Sequence, residues 1–169
     1  MHIPSGLKIV IESKSSVRNS MSVGSDRHKT KVPHFQVKCH RSRSNKKKED
    51  TNDRYSINDF DILISNPSNA LFQGKTGKEL KVQEKPALRR YLERLYDVTT
   101  DKELIQAAAT DWRCTIPADI DDPEHPGFVP RTPPVYLKSD PHWVPLAQLQ
   151  DLLERVVTQK LPVANKSDS

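Results

Sequence analysis

Four residues within thirteen positions carry the side-chain atoms that zinc prefers. His28, His34, Cys39 and His40 offer three imidazoles and one thiol. Zinc fingers and ribbons hold their ligands in close pairs separated by a longer gap, and this spacing does not match that pattern. Because histidines and a thiol in a basic, polar stretch are usually hydrated, the sequence predicts no metal site here.

An acidic group farther along the chain could bind a hard cation or supply a general acid and base. It consists of Asp119, Asp121, Asp122, Glu124 and His125. A calcium-binding loop needs a turn glycine and a closing bidentate glutamate, and both are missing here. The pattern favours a solvated acidic loop.

Two further motifs could carry chemistry, and neither is complete. Gly74-Lys75-Thr76 resembles the end of a phosphate-binding loop, but Asn69 stands where that loop requires glycine. Cys114 has no catalytic signature around it, which favours an unreactive, partly buried thiol. The sequence therefore predicts a non-enzymatic protein with no cofactor and no small-molecule substrate.

A dense cationic run is the clearest binding signal. Arg41, Arg43, Lys46, Lys47 and Lys48 can neutralise several phosphates and release their counterions. Aromatic residues are nearly absent around the run, so a nucleic acid would be held by its backbone rather than by its bases. A nuclear import signal and a stretch charged only for solubility are the alternatives.

A second binding signal lies in the proline-rich segment 117–145, which holds eight prolines. No regular element is expected there, and its scattered apolar residues indicate an extended strap over a helical surface, either its own or a partner's. A docking peptide is the alternative. The candidate partner-binding residues are Pro130, Arg131, Pro133, Pro134, Tyr136 and Trp143.

The elements that must position these residues are predicted from residue 55 onward. The apolar patch around Ile62 indicates a strand. Residues 70–73 and 79–82 flank a four-residue turn, which is compatible with a hairpin or with an irregular loop. In the first part of the chain, Leu7, Ile9 and Ile11 alternate with other residues, as do Phe35, Val37 and Cys39, and these two short stretches could pair.

Three amphipathic helices are predicted. The first begins at Pro86 and carries Leu88, Leu92 and Leu95 on one face. Thr100 and Glu103 form a capping box for the second. The third runs from Pro145 to Pro162, with a stripe that includes Leu149, Leu152, Leu153 and Val156. This stripe is expected to pack on the first helix in a three-helix core.

Charge divides the chain near residue 54, because residues 1–54 carry a net charge of +8 and residues 55–169 carry −3. With only 34% hydrophobic residues, part of the chain is expected to be unfolded. We predict a basic, largely disordered arm (1–54), a small α+β domain (55–162) with two or three short strands, and a disordered tail (163–169).

This organisation predicts an assembly or accessory protein. The arm would contact RNA, in a ribonucleoprotein or ribosome, or another polyanion, while the helices and the strap dock on protein neighbours. A phosphoregulated signalling adaptor that uses the arm and the proline-rich stretch is the alternative. The chain lacks a long apolar run and a secretory signal, which predicts an intracellular protein without a membrane anchor and leaves the compartment open.

Overall fold

The strand with the densest apolar sequence lies in the middle of the fold. The computed structural model describes residues 6–23, 32–40, 53–73 and 81–161. Within them, β3 (Ile62–Ser65) pairs with β1 (Ile11–Ser13) in parallel and with β6 (Arg113–Thr115) in antiparallel orientation. β8 (Val144–Pro145) extends the sheet beyond β6, which gives the strand order β1-β3-β6-β8. The fold is α+β, as predicted.

Two smaller pairings complete the strands of the described chain. β4 (Phe72–Gln73) pairs with β5 (Lys81–Val82), which confirms the predicted pairing, although its turn lies outside the described residues. β2 (His34–Gln36) pairs with β7 (Pro134–Tyr136) in antiparallel register. β2 therefore does not pair with β1 as the sequence suggested. The chain that follows β1 does contact this region, because Ser16 bridges Val37 and Ser22 bridges His34.

All three predicted helices are present. α1 (Pro86–Tyr96) begins at its proline and ends at Asp97, whose left-handed backbone (φ 52°) closes the last turn by donating to Glu93 O. α2 (Asp101–Thr110) has the predicted capping box of Thr100 and Glu103. α3 (Leu149–Lys160) follows a short 3-10 turn over Leu146–Gln148.

The helices lie on opposite faces of the central sheet because alternate residues of β3 point in opposite directions. Leu63 belongs to the first core, which α1 and α2 cover with Leu88, Leu92 and Leu104. Ile62 and Ile64 belong to the second core, which α3 covers with Leu152 and Val156. The predicted packing of α3 on α1 is therefore wrong: the apolar stripe of α3 meets the opposite face of the sheet.

The prediction of a disordered arm is wrong for the described part of residues 13–54. Met21, Phe35, Val37 and Cys39 are each 0% exposed and lie in the first core. The segment that precedes them also joins the fold, since Lys14 N–H donates to Ile64 O at 2.9 Å. The residues that bury these side chains are distant in the sequence. The local composition therefore suggested disorder.

The proline-rich segment also differs from the prediction. It contains β7, β8 and a 3-10 turn over Pro117–Ile120. Pro134 and Pro145 occupy strand ends, where a missing N–H costs little. Four of its apolar residues, Val129, Val135, Leu137 and Trp143, are buried in the protein's own first core, and Val144 packs against the second. None of the helices in the described chain has the length and apolar character that crossing a bilayer requires.

Candidate functional site

The predicted nucleic-acid-binding residues Arg41, Arg43 and Lys46 to Lys48 lie outside the described residues. The structure does place the chain on both sides of them. His40 and Arg54 form an antiparallel bridge, and Arg54 is held by an ion pair with Asp122. The basic run therefore lies in a connection between two fixed points of the domain rather than on a free arm.

The predicted partner-binding residues divide into two groups. Pro133 and Trp143 are buried, so they cannot contact a partner while the domain is folded, and the prediction is corrected for these two. Pro130, Arg131, Pro134 and Tyr136 are half-buried, and they stay a prediction.

The backbone of residues 131–133 in the proline-rich stretch already accepts hydrogen bonds within the domain. Val37 N–H donates to Pro133 O at 3.0 Å, and Cys39 N–H donates to Arg131 O at 2.9 Å. The Arg131 guanidinium pairs with Asp53 at 2.7 Å. A docking peptide must offer a free extended backbone to its receptor. This stretch instead lies beside β2, which weakens the signalling-adaptor alternative.

The acidic group is only partly brought together. Ligand atoms of Asp122, Glu124 and His125 lie within 4.8 Å of one another. Asp119 instead pairs with Arg155, and Asp121 accepts a hydrogen bond from Gly127 N–H at 2.8 Å. Of these three, Asp122 is paired with Arg54, and His125 Nδ1 lies 3.3 Å from Asp122 Oδ2.

Asp122 links its own loop to Arg54, which is distant in the sequence. It is 8% exposed, pairs with Arg54 and accepts a hydrogen bond from Glu124 N–H at 3.0 Å. Burial raises the pKa of this carboxyl, but the Glu124 hydrogen bond and the Arg54 guanidinium outweigh it, so the pKa lies below its ordinary value. The Arg54 guanidinium already supplies the positive charge that a bound cation would bring.

This depressed pKa predicts a specific loss of acid stability. The folded state keeps Asp122 ionised to lower pH than the unfolded chain does, so its contribution is present above about pH 4 and is lost as pH falls through the folded pKa. We expect Asp122→Asn to be less stable than the wild type at neutral pH and to lose less stability on acidification, as measured by urea unfolding at several pH values. The exposed Asp97→Asn is the control. Acid profiles that coincide for all three proteins would contradict this role.

The two thiols are unsuited to nucleophilic chemistry. Burial raises the pKa of Cys39 to about 12 and that of Cys114 to about 11. Since the thiolate is the reactive form, both are nearly all thiol at neutral pH. The zinc candidates His34, Cys39 and His40 do not form a ligand cluster within the described chain, and His28 lies outside it.

A polar pocket was not predicted from the sequence. It holds about 230 Å³ and is lined by residues 13–16, 66, 68, 69 and Trp112. The first group begins at the last residue of β1 and the second follows β3. Because these strands are parallel, their carboxyl ends meet at one edge of the sheet. Trp112 immediately precedes the antiparallel β6, which brings it to the same edge. Crevices at the carboxyl ends of parallel strands are common ligand sites.

The polar side chains of this pocket hold one another in place. Asn69 Nδ2 donates to Ser16 O at 2.6 Å, and Ser16 Oγ accepts from Ala70 N–H at 3.0 Å. Asn66 Oδ1 accepts from both the N–H and the hydroxyl of Ser68. Serines and asparagines just after two strands are the signal that could have revealed the pocket, but the first group fell in the stretch that was predicted to be disordered.

A second cleft, of about 460 Å³, lies at the end of α1 and is lined by residues 90, 93, 94 and 97–99. It contains two arginines and two carboxylates, and Glu93 is already bonded to Arg89 at 2.6 Å. Opposite charges in equal number give this cleft no preference for an anion or a cation.

The comparisons with known proteins leave the function to be argued from these residues. No protein-family model matches the chain, and neither a curated protein nor a solved structure is significantly similar to it.

Proposed function

We propose that this protein is a non-enzymatic RNA-binding module whose basic connection holds the phosphate backbone. The observation that supports this most is the location of the charge. Residues 41–52 carry a net charge of +3, residues 24–31 carry +2 and residues 74–80 carry +1. The described residues together carry −1. The whole positive excess therefore lies in three connections between structured elements.

A near-neutral scaffold with cationic connections suits binding to a polyanion. Each phosphate that a lysine or arginine neutralises releases counterions, and this release supplies most of the sequence-independent affinity. The bridge between His40 and Arg54 fixes both ends of the connection. A segment that is tethered at both ends has fewer conformations to lose on binding than a free tail has. The half-buried Pro130, Arg131, Pro134 and Tyr136 remain the proposed contact with a protein neighbour.

Salt dependence tests the proposal. If Arg41, Arg43 and Lys46 to Lys48 contact five phosphates of a single strand, log Kd should change by about 3.5 per decade of salt. Affinity should therefore fall about 100-fold between about 50 and 200 mM salt. Replacing all five by glutamine should remove most of this slope and weaken several RNA sequences alike, as measured by fluorescence anisotropy with labelled oligonucleotides.

A matched variant separates the location of the charge from its amount. Lys8, Arg90, Arg94, Lys102 and Lys138 are exposed on the scaffold and also comprise two arginines and three lysines. Replacing these five by glutamine changes the net charge equally and should leave the salt slope near that of the wild type. If both variants lose the same affinity, binding follows net charge alone and the proposed site is wrong. If the wild type does not bind RNA at low salt, the proposed function is wrong.

A further inference from the structure

We infer that the polar pocket at the carboxyl ends of β1 and β3 accepts one unstacked nucleobase, as single-stranded RNA would present it, with Trp112 as the stacking surface. This inference deepens the proposed function and rests on it. It adds a site for a base to a protein whose basic connection would hold only the backbone. In RNA recognition, splayed bases commonly stack on aromatic side chains.

The charge of the pocket favours a base over a phosphate. Among the described residues that line the pocket, none is a carboxylate, and the one cation, Lys14, is already engaged. Lys14 Nζ lies 2.6 Å from Glu12, 2.8 Å from the Tyr55 hydroxyl and 4.1 Å from the centre of the Tyr55 ring. Phosphate is bound most strongly by an unpaired arginine or lysine, which the described lining does not offer. A base is neutral, flat and rich in donors and acceptors, which matches a pocket of hydroxyls and amides beside an indole.

The pocket retains hydrogen-bonding capacity after its internal bonds are made. Asn69 uses its Nδ2 on Ser16 O, and in the described chain its Oδ1 accepts no hydrogen bond. Ser13 and Ser15 also line the pocket and are exposed residues. Trp112 is half-buried, and its backbone is fixed on both sides by Thr110 and Leu146, so the residue is held in place beside these groups. A base edge can bond to them while its face lies on the indole.

The pocket also lies beside the point where the basic connection begins. Ser15 O accepts from Lys38 N–H at 2.9 Å, and the bridge residue His40 follows two positions later. Two residues span at most about 7 Å. A strand whose phosphates are held beyond His40 can therefore place a neighbouring base at the pocket.

Trp112 fluorescence in the unmodified protein tests this inference directly. The chain has two tryptophans, and Trp143 is only 2% exposed in the first core, so a quencher from solution reports on Trp112. We expect an unstructured oligonucleotide to quench the emission. Adenosine alone should quench it at millimolar concentration, because the free nucleoside needs no backbone contact.

Variants of Trp112 supply a second measurement. Trp112→Leu should weaken oligonucleotide binding about 5- to 150-fold with an unchanged salt slope, and Trp112→Phe should retain most of the affinity. RNA binding without quenching, or with equal affinity in Trp112→Leu, would overturn the base pocket and leave the proposed function standing. If RNA does not bind, the adenosine titration still tests the pocket. Quenching of Trp112 emission by adenosine supports a pocket for a base, and constant emission overturns it.

Discussion

Phe35→Ala should destabilise the protein by about 3 to 5 kcal/mol, a large share of the roughly 5 to 15 kcal/mol expected for a domain of this size. Phe35 is 0% exposed and faces Val135 across the β2–β7 pair. Truncation leaves a cavity in the first core that the surrounding side chains fill only in part. Urea unfolding monitored by circular dichroism measures the loss.

Val32→Ala is the control for this substitution. Val32 lies three residues away and is 38% exposed, so its truncation should change stability by less than about 0.5 kcal/mol. If Phe35→Ala is as stable as Val32→Ala, then residues 32–40 do not belong to the core, and the fold described for the first part of the chain is wrong.

Leu152→Ala should cost about 2 to 5 kcal/mol, whereas Leu153→Ala should cost about 1 kcal/mol. Leu152 is 4% exposed in the second core, and Leu153 lies half-buried at its margin. These neighbouring leucines differ only in the direction in which they leave α3, so the pair isolates burial from helix propensity. Thermal and urea unfolding of the two variants measure the difference.

Double mutants distinguish the two faces of the sheet. Leu152 shares the second core with Ile62, so the effects of Leu152→Ala and Ile62→Ala should deviate from additivity by at least about 0.5 kcal/mol. Leu92 lies in the first core, and its truncation should add to that of Leu152 within about 0.5 kcal/mol. Strong coupling between Leu152 and Leu92 would instead indicate that α3 packs on α1.

The elements that could be predicted from the sequence are those whose signals are local. Pro86 and the spacing of Leu88 and Leu92 specify α1, and the capping box at Thr100 specifies the start of α2. Helical periodicity also gives the apolar stripe of α3 correctly. Periodicity does not predict which surface the stripe contacts, because α1 and the face of the sheet that forms the second core are both apolar.

The first part of the chain could not be predicted because its stabilising partners are distant. β2 is three residues long and pairs with β7, a full hundred positions farther along, and β1 pairs with β3 about fifty positions away. Neither segment has enough apolar residues to fold by itself, so composition indicated disorder. The pocket was missed for the same reason, since residues 13–16 meet Asn66 and Trp112 only after the strands have paired.

Amide hydrogen exchange of the isolated protein tests whether the basic residues lie on a connection within a folded domain. Val37 and Cys39 donate their N–H groups to Pro133 O and Arg131 O at 3.0 and 2.9 Å. We predict that these two amides exchange about as slowly as the amide of Leu104 in α2, because all three open only when the first core opens. If the amides of Val37 and Cys39 exchange at the rate of an unfolded peptide while Leu104 stays protected, then residues 32–40 are not part of the folded domain and the first part of the chain is a disordered arm.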